Sequence, residues 1–236
     1  MHKASMLRMK WFVDEYASQM SGAKIKVLDV GSYNVNGTYK DLFASERYEY
    51  VGMDMETGPN VDVVFKNPYV WSEIATDSYD VVISGQTFEH AEFFWVTMSE
   101  MTRVLKKNGL LCIIVPNVLH EHRYPVDCYR FYSDGLLALC RYVGLDTLHV
   151  HTNCAPTSSD KIWYSSAHSD SMVVATKPYS GATQYVDLKT YVCVPSDHDN
   201  LRTGLIPYSE KNFIIRKLRK WLNKRDYRKQ RMSGNV

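Results

Sequence analysis

Two clusters of residues have the types and spacing to do chemistry. The first is Lys26-Val27-Leu28-Asp29-Val30-Gly31-Ser32-Tyr33-Asn34-Val35-Asn36-Gly37. A carboxylate, Asp29, sits inside an apolar run, where it is costly unless something holds it. Gly31 follows at the point where a backbone must turn tightly or approach a ligand closely. Downstream, Tyr50-Val51-Gly52-Met53-Asp54 ends in a second carboxylate. An apolar strand, a glycine turn, a second strand and a terminal acid form the signature of a nucleoside-binding half-fold. The turn admits the ligand, and the acid accepts hydrogen bonds from two ribose hydroxyls.

The second cluster lies later. His90 follows Glu89 at the end of Tyr79-Asp80-Val81-Val82-Ile83-Ser84-Gly85-Gln86-Thr87-Phe88-Glu89-His90. The stretch His120-Glu121-His122-Arg123-Tyr124-Pro125-Val126-Asp127-Cys128-Tyr129-Arg130-Phe131-Tyr132 gathers two histidines, two arginines, two acids and three tyrosines. Imidazoles titrate near neutral pH and suit proton transfer. Arg123 and Arg130 have the fork that clamps a phosphate or carboxylate, and Asp127 and Tyr129 complete a polar wall. A competing reading pairs Asp127 with Arg130 inside the loop. His120-Glu121-His122 also suggests a metal, but three adjacent residues are poorly spaced for one ion, so no metal is expected.

The elements that must position these residues alternate along the chain. Apolar residues from Met6 to Met20 predict an N-terminal helix over 3–20. Strands are expected at 26–30, 48–54, 61–65, 80–85, 110–116, 145–150 and 171–177. Helices are expected at 38–44, 69–75, 91–106 and 134–143, the last capped by Ser133. The continuous apolar run Leu110–Val115 suits a parallel strand buried on both faces. Residues 152–169, with Trp163, Tyr164 and His168, read as a loop or lid.

VLDVGSYNVNG resembles motif I of the class I S-adenosylmethionine (SAM) methyltransferases, and YDVVISGQTFEH followed by RVLKKNGLLCIIVPN resembles the type 11 subgroup of that family. Tyr33 stands where the family usually has a second glycine. The resemblance covers about residues 24–150. It implies an α/β, Rossmann-like fold: a seven-stranded, mostly parallel sheet of order 3-2-1-4-5-7-6 with its last strand antiparallel and helices on both faces. It implies SAM as cofactor, held by Asp29, Gly31, Ser32, Tyr33, Asp54, Met55, Asp62, Val63, Ser84, Gly85 and Gln86. A Glu-His pair opening this helix is frequent in the subgroup and often structural there. The Pro-x-Asp-x-Tyr-Arg loop resembles enzymes of cell-surface polysaccharide and nucleotide-sugar clusters, including those proposed for capsule phosphoramidate O-methylation.

Composition narrows the setting. The chain has 236 residues, ordinary globular composition and net charge +2. No run of about eighteen apolar residues predicts a membrane span, and residues 1–20 lack the form of a signal peptide. Five scattered cysteines without CxxC fit reduced thiols in the cytoplasm. Between Lys211 and Arg231 stand ten basic residues against Asp226, a net +9 that leaves −7 for the rest. This basic tail, with helical spacing at Phe213, Leu218 and Trp221, can dock on the body, lie on an anionic membrane surface (the inner face of the membrane) or meet nucleic acid. The acidic body argues against nucleic acid.

The organisation expected is a methyltransferase domain over 1–178, an irregular segment over 179–208 and the tail over 209–236. The expected reaction is O-methylation of a small phosphate- or sugar-bearing acceptor, with His90 and His122 catalytic and Arg123, Asp127, Tyr129 and Arg130 on the acceptor. The rivals are an N-methyltransferase and a SAM-binding regulatory subunit without turnover. Oligomeric state is not readable.

Overall fold

The alternation of apolar residues along each strand divides the core in two. In the computed structural model, which describes residues 3–118, 120–152 and 169–179, Ile25 and Val27 face one side of the first strand while Leu28 and Val30 serve the other. The strands are β1 (Ile25–Val30), β2 (Tyr48–Asp54), β3 (Val63–Val64), β4 (Tyr79–Gly85), β5 (Leu105–Val118), β6 (Asp146–Thr152) and β7 (Ser169–Thr176). The helices are α1 (Lys3–Glu15), α2 (Phe94–Val104) and α3 (Ser133–Tyr142).

The strands form one seven-stranded sheet of order β3-β2-β1-β4-β5-β7-β6. All neighbours are parallel except β7, which runs antiparallel to both β5 and β6. This is the architecture the resemblance implied. Parallel neighbours need crossovers, which cover both faces and bury the central strands completely. Leu111 to Val115 on β5 are accordingly 0% exposed.

On one face, Met9, Phe12 and Val13 of α1 pack with Val81, Ile83, Cys112 and Ile114. On the other, Met98 and Met101 of α2 and Leu136 and Leu139 of α3 pack with Val82, Leu111, Ile113 and Val115. Truncating one of these central side chains, such as Ile113→Ala, costs about 2–5 kcal/mol through lost transfer energy and the cavity left behind.

Several local expectations are corrected. The 3–20 helix ends at Glu15 and continues as a 3-10 turn over Ala17–Gln19. The 38–44 helix is a 3-10 turn over Lys40–Phe43. No helix forms over 69–75. Instead, Trp71 buries its indole against Phe65, and its backbone N–H donates to Glu100 on α2. β3 holds two residues rather than five, because Asp62 is drawn aside to bond Gly52 with both its N–H and its carboxylate. Ser133 does not cap α3 through its side chain; its hydroxyl bonds Thr152 of β6. α2 begins at Phe94, after a separate 3-10 turn over Phe88–His90.

The expected lid over 152–169 lies outside the described residues except for its two ends, and the segment 179–208 likewise except for Tyr179. The basic tail lies wholly outside them. No described helix is long and apolar enough to cross a membrane. Cys112, Cys128 and Cys140 are free thiols.

Candidate functional site

In an open parallel sheet the ligand crevice lies outside the carboxyl ends of the strands, where the chain order reverses. Here that point is between β1 and β4, and the candidate residues divide around it.

The β1–β2 side carries the expected cofactor residues. Gly31 has φ +81, and a Cβ there would stand 2.1 Å from Thr87 Oγ1. The backbone therefore passes closer to the β4 turn than any side chain permits. The Gly31 and Ser32 N–H groups both donate to the Met53 carbonyl, which ties the loop to β2. Asp29 is 3% exposed, and its carboxylate accepts the Tyr50 hydroxyl at 2.5 Å. Burial pushes its carboxyl up to about 7, against the lowering effect of that hydrogen bond, and the nearby Asp54 charge adds to the rise. Asn60 completes the brace by donating to the Tyr50 oxygen and the Ser32 carbonyl.

Asp54 is half-buried at the end of β2. One of its oxygens accepts the Tyr33 N–H at 2.8 Å and the other the Met55 N–H at 2.7 Å. A carboxylate offers about four lone-pair positions, so both oxygens retain acceptor capacity toward ribose hydroxyls. Tyr33 and Met55 are exposed beside it. Asp62 is exposed at the sheet edge and, with the neighbouring Val63, lies one strand further out.

On the β4 side, Ser84 is 1% exposed and gives its hydroxyl proton to the Val30 carbonyl. A side chain at Gly85 would collide with the Tyr39 hydroxyl at 2.0 Å. Gln86 adopts φ +59, an uncommon conformation for a residue with a Cβ, of the kind that clusters at functional sites. Its amide donates to Asp170 at the start of β7.

Sequence reasoning missed this wall. Tyr39 bonds Ser5 of α1, and Arg8 forms a fully buried ion pair with Asp170 at 3.6 Å. The residues lie far apart in the chain. The available signal was Arg8 itself, a charge on the apolar side of an amphipathic helix.

The acceptor-side candidates are assembled by the loop over residues 120–132, which docks on the 3-10 turn after β4. Cys128 and Tyr129 donate their N–H groups to the Glu89 carbonyl. His90 Nδ1 lies 2.6 Å from the Val126 carbonyl. A carbonyl only accepts, so Nδ1 carries the proton and Nε2 keeps its lone pair. His122 Nδ1 contacts the His120 carbonyl at 3.2 Å and the Asp127 carboxylate at 3.4 Å, so Nδ1 carries a proton and Nε2 points away from both acceptors. The two imidazoles meet edge to face at 5.0 Å. Burial lowers the His90 pKa, so the neutral ring dominates.

Arg130 spends its fork on Asp127, at 2.5 and 2.7 Å, and reaches the His120 and Tyr129 carbonyls as well. These hydrogen bonds hold the Asp127 carboxyl well below the usual carboxylate range. Of the two readings of this pair, the internal brace is the one formed. Tyr129 donates to the Glu92 carbonyl and packs on Phe94. Arg123 is exposed and pairs with Glu121 at 2.7 Å, so it is the loop's freely accessible guanidinium.

Glu89 neither caps nor braces α2. It is 0% exposed, and neither carboxylate oxygen is hydrogen-bonded to another residue. Burial pushes its carboxyl up to about 8.

A family model described as a methyltransferase domain matches residues 28–113. No protein of curated function matches the chain in sequence. Among solved structures, the chain is similar to the CurJ carbon methyltransferase (TM-score 0.56, 12% identity, 73% of this chain and 54% of that one). It therefore spans about half the length of that protein. It is similar to the 1,6-didemethyltoxoflavin-N1-methyltransferase of Burkholderia thailandensis, solved with S-adenosylhomocysteine (TM-score 0.56, 14% identity, 75% and 79%). A sarcosine dimethylglycine methyltransferase assigned as such in Galdieria sulphuraria gives TM-score 0.54 at 16% identity, over 73% and 86%. At these identities the solved structures bear on the fold.

Proposed function

We infer that this chain, which carries a methyltransferase domain on the class I sheet, is a SAM-dependent enzyme that methylates a small polar acceptor. The cofactor is S-adenosylmethionine. In this reading its ribose lies on Asp54, and its methionine end passes over Gly31, Ser32 and the Ser84–Gln86 turn. Asp29, Asp62 and Ser84 serve mainly by fixing the strand ends that shape the crevice. Tyr33, Met55 and Val63 flank the base and ribose.

Methyl transfer from a sulfonium is an in-line displacement, so its barrier falls mostly through alignment and exclusion of water. The acceptor's proton must also leave. The observation that carries the acceptor assignment is the docking of the 120–132 loop on the β4 turn. It brings two imidazoles to the carboxyl end of β4, and the His90 ring is neutral with its Nε2 lone pair available. A hydroxyl placed there meets groups able to accept its proton. Arg123, accessible on the same loop, supports an anionic acceptor, phosphate- or sugar-phosphate-bearing. Asp127, Arg130 and Tyr129 hold the loop's shape. The loop's resemblance to capsule and nucleotide-sugar enzymes points the same way.

The test is turnover of SAM to S-adenosylhomocysteine against a panel of sugar phosphates, nucleotide sugars and small amines. The expected result is turnover with a phosphorylated hydroxyl acceptor, reduced at least tenfold in His122→Ala. Turnover with amines alone, indifferent to Arg123→Ala, would establish the N-methyltransferase reading instead.

A further inference from the structure

The least explained group in the described residues is Glu89. A carboxylate with no exposure and no hydrogen bond to a neighbouring residue is expensive to keep. Of the charged groups facing it, Arg130 relieves this only in part, because its guanidinium is bonded to Asp127, while Asp127 and Asp170 add like charge. Glu89 Oε1 lies 3.7 Å from His90 Nε2. With His122, the three residues offer donor atoms that all lie within 4.8 Å of one another.

The imidazoles are also dressed as metal ligands usually are. Such a histidine donates its other ring N–H to a carbonyl or carboxylate, which fixes the tautomer and aims the lone pair. His90 does this to the Val126 carbonyl, and His122 toward the His120 carbonyl and the Asp127 carboxylate. Asp127 is itself held by Arg130, so the outer support extends one step further.

We propose that Glu89, His90 and His122 form a binding site for one divalent transition-metal ion, at which an oxygen of the methyl acceptor takes an open coordination position. Two histidines and one carboxylate leave such positions free, and the imidazoles select a first-row transition ion over magnesium. A tetrahedral ion with ligands at about 2.1 Å needs donor atoms about 3.4 Å apart. The buried Glu89 and the tethered His90 are near that spacing already. His122, partly exposed on its loop, is the ligand that closes. The pattern differs from the adjacent trio His120-Glu121-His122, because the fold carries His122 alone to the β4 turn.

The metal's place on the acceptor rests on the methyltransferase reading, while metal binding itself does not. An ion here would polarise the acceptor hydroxyl, whose proton would pass to solvent on coordination, and the histidines would act as ligands in place of the proton-accepting role they have without an ion.

The test is titration of the chelator-stripped full chain with Zn2+ by calorimetry and with Co2+ by visible absorption. SAM binding is measured on the same samples. The expected result is one ion bound at micromolar affinity or tighter, weakened at least about 100-fold in both Glu89→Gln and His122→Ala. Both variants keep SAM binding, and His120→Ala keeps the metal. Glu89→Gln removes a buried acid without changing shape, and His122 stands on a loop, so neither threatens the fold. Absence of binding in the wild type, or equal binding in Glu89→Gln and His122→Ala, overturns the site. Metal binding without SAM binding would leave the site standing and defeat the cofactor assignment.

Discussion

The two halves of the crevice differ in one buried carboxylate. On the β1–β2 side, Asp29 accepts from Tyr50, Asp54 from two backbone N–H groups and Asp62 from Gly52. Every acid there fastens a loop or strand end. On the β4 side, Glu89 is fully buried with no neighbour bonded to it, next to the imidazoles of His90 and His122. A half that binds the same cofactor in every turnover benefits from being built rigid. A half that must meet an acceptor, and on our proposal an ion, keeps unspent donor atoms. The contrast locates chemistry by what is left unsatisfied.

Breaking the rigid half should have the largest effect. Gly31→Ala adds a Cβ at positive φ and drives it into Thr87. The expected loss is about 2–4 kcal/mol of stability, with cofactor affinity falling in parallel. Thr87→Ala in the double variant removes Oγ1 and Cγ2 but leaves Cβ at 2.8 Å, so part of the lost stability should be recovered, which a denaturation cycle would show as non-additivity.

Asp29 gives an effect of comparable size, through pH. Its folded-state carboxyl sits at about 7, above the ordinary value near 3.9. The folded chain thus holds a proton that the unfolded chain releases. Its contribution is full below about pH 4, is lost as pH rises toward 7, and is flat beyond. The difference in unfolding free energy between wild type and Asp29→Asn should fall by about 1.4 kcal/mol per pH unit across that window. A difference independent of pH would show that Asp29 is ionised in the fold throughout.

Cutting the loop's brace comes third. Asp127→Asn leaves Arg130 without its charged partner on a buried side of the loop. The expected cost is about 2 kcal/mol, with faster proteolysis confined to residues 120–132. Because Asp127 is depressed in the fold, the wild-type advantage should persist above about pH 4 and vanish as pH falls below it. The smallest effect is Arg123→Ala. Its partner Glu121 is also exposed, so stability should change by no more than about 0.5 kcal/mol. An anionic acceptor should nevertheless show a KM raised about tenfold, the value of one charged contact of about 1.4 kcal/mol.

The halves also differ in how far the sequence discloses them. The cofactor side is written in contiguous pieces: a strand, its glycine and the acid of the next strand. These lie where a parallel sheet must place them, and the strand order followed from the resemblance they carry. The acceptor side is split between residues 89–90 and 122, which only the docked loop unites. Glu89 was visible as a residue, but its isolation is a property of packing. Arg8 looked like a polar interruption of α1, because its partner Asp170 lies on the last strand. The missing 69–75 helix has the same origin: Trp71 gains more from burial against Phe65 and a bond to Glu100 than from local helix propensity.

The central claim is that the carboxyl ends of β1 and β2 hold SAM with Asp54 on its ribose. Calorimetric titration with SAM and S-adenosylhomocysteine, of the wild type beside Asp54→Ala, tests it most directly. The account predicts micromolar binding of both ligands to the wild type, abolished in an Asp54→Ala protein whose thermal unfolding remains cooperative. A folded wild type that binds neither ligand, or an Asp54→Ala variant that binds as tightly as its parent, would contradict it.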